Sequence, residues 1–163
     1  MAVLLLLVAC VGGAVWRSAE AQDAYDLLPA DYKKGVDLAL VHLNSHAGVQ
    51  HHFRFLRSLE KSDAESGFDV KYYYHHFQLK PTRCAKGPTS RNKRCPFRND
   101  RPLMDCAVCY KTEGDQIRPD PTPYVHCIQR PRLTETMVTT RTEHCKQMNY
   151  NTGGLTLLAV QMD

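Results

Sequence analysis

The stretch that decides the fold runs from Cys84 to Cys145: CAKGPTSRNKRCPFRNDRPLMDCAVCYKTEGDQIRPDPTPYVHCIQRPRLTETMVTTRTEHC. It contains six of the seven cysteines, Cys84, Cys95, Cys106, Cys109, Cys127 and Cys145. The seventh, Cys10, lies in a segment expected to be removed on export. An even set in an exported chain reads as three disulfides rather than as reduced thiols. Spacing alone leaves several connectivities open. Cys106 and Cys109 sit three apart in an apparent strand, so their side chains point to opposite faces and need different partners. Cys84 and Cys95 flank a short basic segment and can close it locally, a loop worth about 3 kcal/mol on the chain-entropy argument. Cys127 and Cys145 would then serve Cys106 and Cys109. Cys106-x-x-Cys109 with His126-Cys127 also contains zinc-ligand types, but the even count in an exported chain favours disulfides.

Working outward, the first 21 residues read as a secretory signal peptide. An apolar run follows Met1, and the small-x-small site Ala19-Glu20-Ala21 places the cut before Gln22. Residues 22–145 then form one domain and residues 146–163 a C-terminal tail. No later apolar run approaches the ~20 residues of a membrane span, so the mature chain is expected to be secreted and monomeric. The formal charge is +4, but it is unevenly placed. Between Lys80 and Arg101 eight basic residues face one acid, Asp100, which makes a local positive field.

Tyr32, Val36, Ala39, Leu40 and Leu43 share one helical face, predicting a helix over Asp31–His46 with Asp31 as N-cap and Gly48 as the stop. Val49–Leu59 reads as a strand, Glu60–Gly67 as a turn, and Phe68–Leu79 as a second strand. The apolar side of that strand changes near His75-His76, which predicts a bulge or a bend there. Tyr72-Tyr73-Tyr74 fits a strand partly buried on both faces. Lys80–Arg101 reads as a basic loop, Leu103–Lys111 as a third strand, Glu113–Pro123 as a turn region and Tyr124–Gln129 as a fourth strand. Threonine-rich Thr134–Thr142 reads as a fifth strand or extended segment. A polar linker, Asn149–Gly154, leads to an apolar end, Leu155–Val160. One helix covering an antiparallel sheet of four to five strands is an α+β architecture.

These features resemble the cystatin/cathelicidin-like superfamily and, within it, its chemerin-type members. The resemblance is carried by the helix Asp31–His46, by Phe77-x-Leu79-x-x-Thr82-x-Cys84, by the basic loop to Cys95, and by Cys106-x-x-Cys109, Val125-His126-Cys127 and Cys145. It spans roughly Asp31 to Cys145. The pair Cys109 and Cys145 is what separates the chemerin type from four-cysteine relatives. The resemblance implies the pairs Cys84–Cys95, Cys106–Cys127 and Cys109–Cys145. It also implies a precursor whose C-terminal tail is trimmed by a processing protease and then engages a chemerin-type G-protein-coupled receptor, with effects on chemotaxis, inflammation and metabolic regulation. On this chain the receptor-binding residues would be Leu155, Leu157, Leu158, Ala159 and Val160. The tail departs from the family pattern in holding one aromatic, Tyr150, and one basic residue, Lys146. An elastase-like cut near Ala159 or Val160 suits it better than a trypsin-like one. Leu155–Val160 packed as a last strand is the structural alternative.

A second functional reading is host defence. Lys80, Arg83, Lys86, Arg91, Lys93, Arg94 and Arg98 would contact heparan sulfate or anionic membranes; nucleic acid is not expected as a partner of an exported chain. The Gln-x-Val-x-Gly wedge of protease-inhibiting cystatins is absent from the sequence, and the tail has no net charge with which to act as a cationic peptide. His42 and His46 stand at i, i+4 on the helix, a spacing that ligand pairs use. No His-Glu-x-x-His motif accompanies them, and they are expected to be surface side chains rather than metal ligands. His51-His52 and His75-His76 point to opposite faces if in strands. With the cysteines committed to bridges and no nucleophile elbow in the sequence, the chain is not expected to be an enzyme or to use a cofactor.

Overall fold

A computed structural model describes residues 24–87 and 95–151. The fold is α+β. Helix α1 (Ala30–Ser45) precedes strands β1 (His51–Glu65), β2 (Val70–Ala85), β3 (Met104–Glu113), β4 (Gln116–Ile117) and β5 (Tyr124–Gln129), and helix α2 (Glu135–Asn151) closes the order. The sheet is antiparallel throughout. β2 lies between β1 and β3, and the other edge of β3 is shared by β4 at one end and β5 at the other. Residues 1–21, expected to be a signal peptide, and the residues beyond Asn151 fall outside the described residues.

Strand alternation divides the interior into two cores. On one face Tyr73, Phe77, Leu79, Cys106, Val108 and Tyr110 pack with Phe55 against the α1 stripe Tyr32, Val36, Ala39 and Leu43. On the other, Tyr72, Tyr74, Ala107 and Cys109 pack against Cys145 and Met148 of α2. The tyrosine run is thus buried on both faces, as the sequence suggests. α1 can lie close to the sheet because Gly35 has no side chain: a Cβ there would stand 2.9 Å from Cε1 of Tyr110. The Tyr110 hydroxyl donates to the Asp31 carbonyl, tying β3 to the first turn of the helix.

Several expectations need correction. α1 begins at Ala30 with Pro29 as its N-cap and His46 as its C-cap, so Asp31 lies inside the first turn and Gly48 lies beyond the end. The turn over Glu60–Gly67 shrinks to Ser66–Asp69, because β1 continues to Glu65 and pairs Lys61 with His75 and Asp63 with Tyr73. Its charges suit an edge strand, where polar side chains face water. The bulge near His75-His76 lies instead on β1, where register shifts fall between Phe55 and Arg57 and between Ser58 and Glu60. The β2–β3 register runs unbroken from Val70 to Leu79, and the apolar side does not switch because both faces are covered. The segment Lys80–Arg101 is not wholly a loop: β2 carries Lys80 and Arg83, and Thr82 bridges to Phe97.

Most consequentially, Thr134–Thr142 is not a strand but the start of α2. Threonine has modest helix propensity, so this helix depends on tertiary packing. Thr134 caps it, its hydroxyl accepting from the Met137 amide at 3.2 Å. Thr139 and Thr142 donate their hydroxyls to the carbonyls of Glu135 and Val138 four residues back.

Candidate functional site

Two surfaces follow from this frame, the root of the C-terminal tail and the basic end of the first hairpin. The tail root is built by α2. Arg141, Cys145 and Met148 recur at steps of four and three residues and turn one helical face to the sheet. Cys145 is bonded to Cys109. The Tyr72 hydroxyl donates to the Cys145 carbonyl at 2.5 Å, and the Met148 sulfur lies 3.7 Å from that of Cys109. Arg141 is 1% exposed. Its Nη2 donates to Asp105 Oδ1 at 2.5 Å and lies 2.8 Å from His76 Nε2. His76 Nε2 is also 2.8 Å from the same carboxylate oxygen. Burial by itself would push the Asp105 carboxyl up, but hydrogen bonds from His76 and Arg141 hold it below its ordinary value. Arg141 Nε and Nη1 are buried without a hydrogen-bond partner among the described residues. The pair therefore pins the helix at a desolvation cost rather than adding surplus stability.

The tail residues Leu155, Leu157, Leu158, Ala159 and Val160 lie outside the described residues. The segment Lys146–Asn151, expected to be tail, is the last stretch of α2, and Met148 within it is buried.

The basic end is built by the Cys84–Cys95 bond, which folds the chain after β2 back along β1 and β2. Phe97 is placed where Arg54 and Lys80 both stand over its ring, at 5.1 and 5.5 Å from the centroid. Arg54 and Lys80 are directly opposed across the β1–β2 ladder, a like-charge pairing that costs stability and that the aromatic face offsets in part. Arg54 also donates to the Cys95 carbonyl at 3.0 Å. Arg83 and Lys86 are exposed, with the Lys86 ammonium 3.1 Å from the His46 carbonyl. Arg98 is engaged by Asp100, with contacts of 2.9 and 2.6 Å. The hydrogen bond from Arg98 draws the Asp100 carboxyl down to about 2. Arg91, Lys93 and Arg94 lie outside the described residues. Arg54 and Phe97 escaped the sequence reading because they join the cluster only through strand pairing and the disulfide.

The remaining cysteines form Cys106–Cys127 between β3 and β5, so all three bonds have the pairing that the resemblance implies. His75 is fully buried beside Tyr32, Phe55 and Phe77, with Nε2 2.9 Å from the Ser58 hydroxyl. Burial, aided by the charge of Lys61, lowers it to about 4. His76 faces the other side of the sheet, as strand alternation requires. A polar cleft of about 160 Å³ is lined by Asp31, Asp69, Lys71, Tyr73, Gly114 and Asp115, well below the ~300–1,000 Å³ of small-molecule pockets. In it the Asp31 carboxylate accepts from Lys34 and Tyr73. No group of three or more His, Cys, Asp or Glu side chains is arranged for a metal among the described residues. Among those residues, too, no helix is long and apolar enough to cross a membrane. In comparisons with known proteins, no family model and no curated protein matches the chain.

Proposed function

We propose that this chain is a secreted signalling precursor of the chemerin type, a cystatin-like monomer that presents a proteolytically trimmed C-terminal segment to a G-protein-coupled receptor. The observation that carries this reading is the anchorage of α2. The Cys109–Cys145 bond and the Arg141–Asp105 pair hold the helix to the sheet, so the residues after Asn151 start from a fixed point. A short signalling segment gains affinity from such preorganisation at its root. Disulfides are at home in the oxidising extracellular compartment, and the structure holds three. No catalytic role is assigned. The effects expected are chemotaxis, inflammatory recruitment and metabolic regulation.

The test is calcium mobilisation in cells bearing a chemerin-type receptor. Chains starting at Gln22 and ending at Asp163, at successive positions back to Leu155, and at Asn151 are compared. One trimmed form far more active than the rest supports the proposal; silence of every form overturns it.

A second reading rests on the basic end. Two like charges opposed across a ladder, with Arg83 and Lys86 beside them, form a positive surface suited to heparan sulfate or anionic membranes. Replacing Lys80, Arg83 and Lys86 with Gln should lower the salt needed to elute the protein from heparin, because each lost contact releases fewer counterions. An unchanged elution position discards this reading.

A further inference from the structure

The histidines at the end of α1 take part in neither surface. His42 lies in the last turn and His46 is the C-cap, and both side chains are exposed. Their Nε2 atoms are 3.4 Å apart, with the rings nearly perpendicular, 4.9 Å between centroids and 85° between planes. Two nitrogens at about 2.05 Å from one zinc ion and 3.4 Å from each other subtend about 112° at the metal, close to tetrahedral.

We propose that His42 and His46 form a zinc site, a two-histidine clip across the last turn of α1 with its other coordination positions open to water or to a donor from another molecule. The geometry is supported from below. Leu43, between the two histidines, is buried in the α1 core and fixes the rotation of the helix about its axis. The Ser45 hydroxyl donates to the His42 carbonyl at 2.6 Å, and the His46 amide to the Leu43 carbonyl at 3.1 Å. Lys86, just past the end of β2, holds the His46 carbonyl. The backbone carrying both ligands is therefore set before a metal arrives. The negative end of the helix dipole also favours a cation there. Without a metal, the close approach allows one N–H···N hydrogen bond; with it, both lone pairs are used.

The experiment is calorimetric titration of the oxidised chain starting at Gln22 with zinc chloride. The expected result is one saturable zinc per chain and at least tenfold weaker binding in His42→Ala and His46→Ala. His144→Ala, an exposed histidine elsewhere, should bind as the parent does. Circular dichroism establishes that each variant is folded. Equal zinc affinity in the folded His42→Ala/His46→Ala double variant overturns the site, as does the lack of saturable binding by the parent.

Discussion

Arg141 on α2 and Asp105 on β3, 36 residues apart in the chain, meet at 2.5 Å with both side chains almost wholly buried. This contact ties the last helix to the sheet on the same face as the Cys109–Cys145 bond. It helps to seat α2, which runs to Asn151.

Removing one partner strands the other. Arg141→Met leaves an uncompensated carboxylate at Asp105 and is expected to cost about 3–5 kcal/mol, a large part of an ordinary domain's stability. The double variant Asp105→Asn/Arg141→Met should recover much of that loss, since a neutral buried pair carries no charge to desolvate. Urea midpoints at constant m-value are the measurement; a single variant costing under about 1 kcal/mol contradicts the buried-pair account.

The His75 imidazole is about 4 in the folded protein against about 6.5 unfolded. Between those values the unfolded chain binds more protons, so stability rises with pH and is lost as pH falls from about 6.5 through 4. The loss should be of order 3 kcal/mol. The depressed Asp105 carboxyl works in the same direction at still lower pH. His75→Gln should flatten the dependence between pH 6.5 and 4 while leaving the part below it. A parent protein whose melting temperature is constant over that range contradicts the assignment.

Gly35→Ala tests whether packing or propensity rules α1. Alanine is the better helix former by up to about 1 kcal/mol, yet its Cβ would meet Tyr110 at 2.9 Å. Overpacking of this kind costs about 1–3 kcal/mol, so the variant should be less stable than the parent. Tyr110→Phe in the same background leaves the 2.9 Å contact with Cε1 but removes the hydroxyl, which lies 3.2 Å from that Cβ. The strain should then ease only in part.

The two outer disulfides should differ in effect. On the chain-entropy argument Cys109–Cys145, with a sequence separation of 36, is worth about 4 kcal/mol, and Cys84–Cys95, with a separation of 11, about 3 kcal/mol. Cys109→Ala/Cys145→Ala should make α2 the first site of limited proteolysis. Cys84→Ala/Cys95→Ala should instead weaken heparin retention, by releasing Phe97 from Arg54 and Lys80. Proteolysis within α1 before α2 in the first variant goes against the anchoring role.

The α+β class, the amphipathic stripe of α1, the two-sided burial of Tyr72–Tyr74 and the limits of Tyr124–Gln129 were all legible in the order of residues. Each is a local matter of period and alternation, which side-chain geometry enforces residue by residue. Cysteine count and spacing narrowed the bridges, but the partner of each in the Cys106–Cys109 pair needed the resemblance. That Thr134–Thr142 begins a helix emerges from long-range packing. Its threonines favour extension, and what overrides them is the Arg141–Cys145–Met148 face seated on the sheet, whose partners Asp105, Cys109 and Tyr72 lie far back in the chain. The same holds for the basic end: Lys80 and Arg83 were legible as charges, but Arg54 and Phe97 join them only once β1 pairs with β2 and the Cys84–Cys95 bond returns the chain. Charge and period are properties of a segment; who faces whom across a sheet is a property of the fold.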